Sequence, residues 1–427
     1  MLIQFSVGNY LSFKDPITFS MVASPRGELE DTNVFKATDK LQLLKSAVIY
    51  GANASGKSNL FKAIRFARKF IFTSSKESQA TEAIKITNFR LSTETENKPS
   101  FFEFIFIHEN IKYRYGFEVD RTEVHREWLF YTPTIREALL FAREKDSFQI
   151  GTSFKEGKPF TGKTRKNALF LSVVAQWNGP TAEKILKWFK SFNVISGLDD
   201  RRYLNYTLRK IEEDQNFKKE VLEFLRIADI GIEDFDVEQR EIHLQELPKQ
   251  LVERMLKDEM PLPDKVVNIE LKTIHNKFDK EGKISSQEKF ELGSEESEGT
   301  KKLFAISGPI LDTLKDGKIL AMDELDSRLH PLLSNFLIKL FNSNIKNSSN
   351  AQLIFASHDA SFLKKEVFRR DQVWFAEKDQ YGATNLYSLV EYKKEAGKVR
   401  KDASFSKDYL LGKYGAIPNI KESNLIF

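Results

Sequence analysis

The sequence predicts an α/β fold: a mixed sheet with an antiparallel β subdomain, interrupted by a helical insertion. Three observations predict it. The apolar run Ser46-Ala47-Val48-Ile49-Tyr50 leads directly into Gly51-Ala52-Asn53-Ala54-Ser55-Gly56-Lys57-Ser58, which matches G-x-x-x-x-G-K-[ST], and then into an amphipathic stretch carrying Leu60, Phe61, Ile64, Phe66 and Ala67. Residues 83–150 alternate in short β-like runs. From Thr300 to about Leu389 helical and strand patterns alternate, as a parallel sheet requires.

In chain order, Leu2-Ile3-Gln4-Phe5-Ser6-Val7 and Ile17-Thr18-Phe19-Ser20-Met21-Val22 read as strands of a sheet assembled around the glycine loop. The loop itself is a phosphate cradle: its glycines let the backbone aim N–H groups at phosphates, and the helix starting near Lys57 adds the positive end of its dipole. Candidate contacts are Gly51, Asn53, Ala54, Ser55, Gly56, Lys57, Ser58 and Asn59. Lys57 would reach the β- and γ-phosphates of ATP, and Ser58 would hold Mg²⁺.

Further on, Phe102–Ile107 turns at His108-Glu109-Asn110 into Ile111–Phe117, with short runs at 128–130 and 138–141, an antiparallel meander. Between Asn167 and about Met260 the period becomes helical, through Ile185, Leu186, Trp188 and Phe189, then Leu204, Leu208 and Ile211, then Val221, Leu222, Phe224 and Leu225. The expected division is therefore an amino-terminal lobe over 1–165, a helical insertion over 166–262, and a carboxyl-terminal lobe over 263–427. Residues 279–298 read as solvated loop around a short strand near Phe290. Gly412, Gly415 and Pro418 suggest a docked, irregular tail.

Composition narrows the class. The chain has 427 residues, 66 basic against 61 acidic, a net charge of +5 and no cysteine. That length buries a substantial core, and the absence of cysteine excludes disulfides, cysteine-zinc sites and thiol nucleophiles. The charge is too mild to demand nucleic acid. No long apolar run or signal-peptide pattern occurs, so the expectation is a cytoplasmic protein without a membrane span.

Two later strands carry the remaining chemistry. Lys318-Ile319-Leu320-Ala321-Met322-Asp323-Glu324 ends in two acids, Asp323 as a metal-side carboxylate and Glu324 to polarise an attacking water. Ala351-Gln352-Leu353-Ile354-Phe355-Ala356-Ser357-His358-Asp359 delivers a histidine at its carboxyl end, and Ser297-Glu298-Gly299-Thr300 precedes the acidic strand by one helix.

Together these motifs resemble the ATP-binding-cassette ATPases: Walker A at 51–58, an S-x-G signature at 297–301, Walker B at 318–324, a D-loop-like Asp326 and a switch histidine at His358. The resemblance implies a head-to-tail, ATP-sandwiching homodimer in which Ser297 and Gly299 of one chain close over the γ-phosphate held by the other, and leaves open any higher oligomer built from such dimers. It departs from the pattern where Glu296 stands in place of the usual leucine and Thr300 follows the glycine. Gln176 is a candidate Q-loop residue by its surroundings alone, a surface helix position being the plainer reading.

Asn9-Tyr10-Leu11-Ser12-Phe13-Lys14 resembles the N-F-x-S-F start of RecF-, SMC- and OLD-like ATPases. Asp323-Glu324-Leu325-Asp326-Ser327-Arg328-Leu329-His330-Pro331 resembles the D-E-x-x-x-x-L-H-P line of OLD-like and RloA/AbiL-like AAA-type ATPases, although His330 and Pro331 also suit a helix start. The stretches 167–172 and 409–418 look like segments of the same bacterial group. With 69 residues after His358, the expectation is that these residues hold no Toprim nuclease active site like that of the OLD nucleases.

That resemblance implies a slow, regulatory ATPase of anti-phage, abortive-infection loci, a sensor or scaffold controlling a separate toxin or nuclease. The alternative is a RecF/SMC-like DNA-binding ATPase in repair, using Lys163–Lys166, Arg201–Tyr203, Lys364, Lys365, Arg369, Arg370 and Lys398–Lys401. Each basic cluster also reads as a solvated helix face.

Overall fold

A computed structural model describes residues 1–25, 27–76, 79, 81–198, 200–228, 231–243, 265–394, 397–398 and 404–418. The chain is a mixed α/β protein that divides into two compact units, Met1–Leu198 with Asp312–Phe427, and Asp199–Leu311. Among the described residues no helix is long and apolar enough to cross a membrane.

Among the described residues the first unit holds two large sheets and two small two-stranded ones, Val34–Thr38 with Leu41–Leu44 and Lys393–Lys394 with Gly397–Lys398. Six strands form the nucleotide-side sheet in the order Phe192–Ser196, Ile319–Asp323, Gln352–Ala356, Ser46–Tyr50, Val373–Lys378, Thr384–Ser388. The first five run parallel and the last is antiparallel. Ser46–Tyr50, Gln352–Ala356 and all but the last residue of Ile319–Asp323 are buried, which is why they read as unbroken apolar runs rather than alternating ones.

Seven strands form the second, antiparallel sheet in the order Ser147–Ile150, Ala138–Glu144, Val124–Thr132, Ile111–Val119, Ser100–His108, Leu2–Gly8, Ile17–Ser20. The hairpin at Glu109 and Asn110 turns with φ of 49° and 60°, left-handed values that match the twist of the flanking strands. Leu2–Gly8 and Ile17–Ser20 therefore belong to this sheet and not to the one that carries the glycine loop. Leu2–Gly8 pairs on both edges, with Ile17–Ser20 and with Ser100–His108.

The 17-residue helix Lys57–Thr73 touches both sheets. Phe66 and Phe70 pack on Phe102 and Phe117 of the meander. Trp188 of helix Pro180–Lys190 stacks on Phe106 at 3.8 Å, closing the core against the same sheet. The sheets are also joined by the buried Gln352 amide, whose oxygen accepts from Leu2 N (2.6 Å) and whose nitrogen donates to Leu2 O and Leu44 O.

The second unit starts with helices Asp200–Glu213 and Gln215–Ile227, the latter capped by Asp214. A three-stranded antiparallel sheet follows, Asp234–His243, Lys265–Phe278 and Ile284–Glu291. Helix Glu298–Asp316 leads out of the unit; its Phe304 meets Phe235 edge-on, and its Ala305 carbonyl accepts from Thr207.

The compact insertion is thus 199–311, against the 166–262 expected. Residues 166–198 fold with the first unit because Phe192–Ser196 is a strand, too short a run to be told from helix by periodicity. Strand Asp234–His243 likewise lies where helix was expected. The expected boundary at 262 lies outside the described residues, and the strand near Phe290 extends over Ile284–Glu291.

Candidate functional site

Four adjacent parallel strands end at one edge. Ala356 pairs with Ile49, Phe355 with Met322, and Phe375 with Tyr50, so the segments after Tyr50, Asp323, Ala356 and Ala376 emerge side by side. The crevice outside such carboxyl ends is where an open α/β sheet binds ligands. Here it contains a cavity of about 410 Å³ lined by the glycine-loop residues Asn53 to Asn59 together with Lys62, Glu324, His358 and Lys378.

The loop's shape follows from its residues. Gly56 has φ of 108°, and a Cβ there would strike the Thr384 side chain and come within 2.9 Å of Ser12 Oγ. Ala54 is also left-handed at 61°. The Lys57 ammonium is buried and donates to the loop's own carbonyls, Gly51 O at 2.7 Å and Ala52 O at 3.0 Å. Burial lowers its pKa to about 8, against the opposing pull of Asp323, Glu324 and Asp326.

Beneath the loop is a support that sequence reasoning missed. Thr384 Oγ1 lies 2.8 Å from both Ser55 O and Ser12 Oγ, and Asn59 Nδ2 donates to Ser12 Oγ. Asn9 anchors the same segment by donating to Thr95 O and Lys98 O while accepting from Phe89 N. The Asn9-Tyr10-Leu11-Ser12 stretch is thus a tight turn, with Asn9 and Leu11 at φ of 46° and 51°, that brings Ser12 under the cradle. Its only sequence signal was the resemblance already noted.

Asp323 is held by burial above the usual carboxylate range, with the Glu324 charge adding to the shift and a hydrogen bond from Ser58 opposing it. Its Oδ1 is buried without a hydrogen-bond partner among the described residues. A hydroxyl and a carboxylate with an unsatisfied oxygen form a donor set that fits Mg²⁺, which takes one or two protein oxygens and completes its shell with phosphate and water. Glu324 follows at φ of 56°, an unfavourable conformation for a non-glycine residue and one common at functional sites.

Asp326 Oδ2 accepts from the backbone N–H groups of His358 and Asp359, both at 3.2 Å, so its contacts within this chain fix the turn that carries His358. His330 is the N-cap of helix Pro331–Phe341, its Nδ1 accepting from Leu332 N. The tail docks on the same edge: Tyr409 packs on Tyr50 and Phe375, and its hydroxyl meets the Gly51 backbone.

Ser297 and Gly299 are in the second unit. Ser297 Oγ accepts from Thr300 N at 3.1 Å, capping helix Glu298–Asp316. Glu296, in the place of the cassette leucine, accepts from His275 Nε2 at 2.7 Å and from Thr273. Gln176 is exposed at the end of helix Phe170–Gln176. Among the basic clusters, Arg369 is buried on Asp371, Glu28 O and Ser24 O, and Arg370 pairs with Glu28. Arg400 and Lys401 lie outside the described residues.

A family model described as "AAA domain, putative AbiEii toxin, Type IV TA system" matches residues 46–364, from the strand before the glycine loop to beyond His358. The chain belongs to this family. No curated protein matches it. Similar solved structures include the SMC head domain from Thermotoga maritima, 14% identical with a TM-score of 0.40 over 91% of this chain and 98% of that one. Another is the Smc head domain with a coiled coil and joint from Pyrococcus yayanosii, 12% identical with a TM-score of 0.39 over 91% and 97%. In this AAA-type P-loop ATPase the glycine loop and the acidic strand end belong to one unit, on two parallel strands separated by Gln352–Ala356.

Proposed function

We propose that this AAA ATPase binds Mg-ATP in the crevice, hydrolyses it slowly, and uses the bound state to close a homodimer that controls a separate effector, a toxin or a nuclease. The observation that carries the reading is the cavity in which Lys57, Ser58, Glu324 and His358 converge from different strand ends. In it Lys57 and the loop N–H groups hold the β- and γ-phosphates, and Ser58 with Asp323 holds Mg²⁺, which neutralises charge on the phosphoryl oxygens. Glu324 orients and polarises the attacking water, and His358 faces the γ-phosphate.

Ser297 and Gly299 close over the partner chain's nucleotide. Support comes from the position of Ser297 at the amino end of a 19-residue helix, where N–H groups and dipole favour an anion. The OLD-like, abortive-infection setting rests on the motif resemblance and on the toxin–antitoxin description of the family.

Gel filtration with ATP tests the dimer. Glu324→Gln should keep ATP and elute as a dimer, while Lys57→Ala should bind no nucleotide and remain a monomer. A Glu324→Gln protein that holds ATP yet stays strictly monomeric at micromolar concentration overturns the proposal. The effector is sought as what co-elutes with native neighbours in ATP but not in ADP. The DNA-binding alternative predicts duplex binding that falls steeply with salt.

A further inference from the structure

The phosphate cavity contains two cations that neither the Walker motifs nor the switch histidine explain. Lys62 and Lys378 both line it, and neither side chain has an ion-pair or hydrogen-bond partner among the described residues. Lys62 is four residues beyond Ser58 on helix Lys57–Thr73, which puts the two on one helix face. Lys378 ends strand Val373–Lys378, which flanks the cradle strand on one side, whereas Gln352–Ala356 and then Ile319–Asp323 lie on the other.

The placement sorts the charges. Glu324 and His358 stand on the Walker B side of the cradle, and Lys378 stands on the opposite side. Glu324 is the one carboxylate lining the cavity among the described residues, against Lys57, Lys62 and Lys378. A triphosphate remains anionic with its magnesium, so a ligand whose terminal phosphate points towards Glu324 leaves its inner phosphates on the side of Lys378, and Lys62 reaches the same cavity from one helical turn beyond Ser58.

We infer that Lys62 and Lys378 are nucleotide-binding residues that grip the α- and β-phosphates, the part common to ATP and ADP. This rests on the proposed nucleotide reading of the crevice and adds a regulatory consequence to it. The protein retains ADP after the γ-phosphate leaves, so product release and not only ATP arrival sets how long the nucleotide-bound state lasts.

Fluorescent-nucleotide titration at low and moderate salt tests this on the full chain. The Lys62→Ala/Lys378→Ala double variant should bind ATP and ADP more weakly by the same factor, on the order of tenfold for two contacts from exposed lysines. Lys62→Arg/Lys378→Arg should restore both affinities, and an unchanged melting profile of the nucleotide-free variants separates lost contacts from lost fold. Unchanged ADP affinity in a folded double-alanine variant overturns the assignment, whether or not ATP affinity falls. A wild-type chain that binds neither nucleotide would instead refute the reading of the crevice itself.

Discussion

Raising the pH should weaken ATP binding through one buried ammonium. In the free protein Lys57 touches only neutral carbonyls, and burial brings its pKa from 10.5 to about 8. Phosphate oxygens in the cradle supply opposite charge at hydrogen-bond distance and restore a high pKa in the complex. Above about pH 8 the bound state therefore holds more protons than the free state, and affinity falls as pH rises. Between about pH 7.5 and about pH 9 the protonated fraction of free Lys57 drops from about three quarters to about one tenth, an affinity loss of roughly eightfold.

Calorimetry in two buffers of different ionisation heat reads this directly, as uptake approaching one proton per ATP at the upper pH. Lys57→Arg, which stays charged, should flatten any binding that survives. Constant affinity with no proton uptake would refute the reasoning. The sign reverses for folding: between about 8 and 10.5 the unfolded chain binds more protons at this lysine, so the lysine makes nucleotide-free stability rise with pH across that window.

Other substitutions probe the support. Gly56→Ala should eliminate nucleotide binding, since φ of 108° and the Thr384 side chain leave no room for a Cβ, and titration with ATP checks it. Thr384→Val keeps the shape but strips Ser55 O and Ser12 Oγ of a buried partner, so denaturant unfolding should report a loss of about 1–3 kcal/mol and ATP affinity should fall with it. Glu127 is wholly buried, accepting from Phe170 N, Leu171 N and Tyr115, with Arg143 at 4.0 Å. Glu127→Ala should cost about 3–5 kcal/mol in the same measurement by leaving the guanidinium without its charge partner.

Local signals made much of the fold legible. The hairpin at Glu109-Asn110, the cradle strand and helix, and the acidic strand end were visible because turn chemistry, burial and period agree within a few residues. The strand order was not, since Gln352–Ala356 separates the cradle strand from Ile319–Asp323 and no local pattern encodes that neighbour. Of the crevice, the motif residues could be read from sequence; Ser12 and Thr384 could not, because each is an ordinary hydroxyl whose role exists only after chain segments 372 residues apart meet. Arg369 looked like a surface cation beside Arg370, and only packing reveals it buried.

The Gln352 amide imitates a peptide group, taking one N–H and giving to two carbonyls across the seam between the sheets. Sliding one sheet past the other would strip both polar groups of Leu2 in a dry interior, at about 1–3 kcal/mol for each orphaned group. Shear at that seam is thus a costly motion for the first unit. The strand that begins at Gln352 ends two residues before His358, so a single five-residue strand has the crevice at one end and the seam between the sheets at the other.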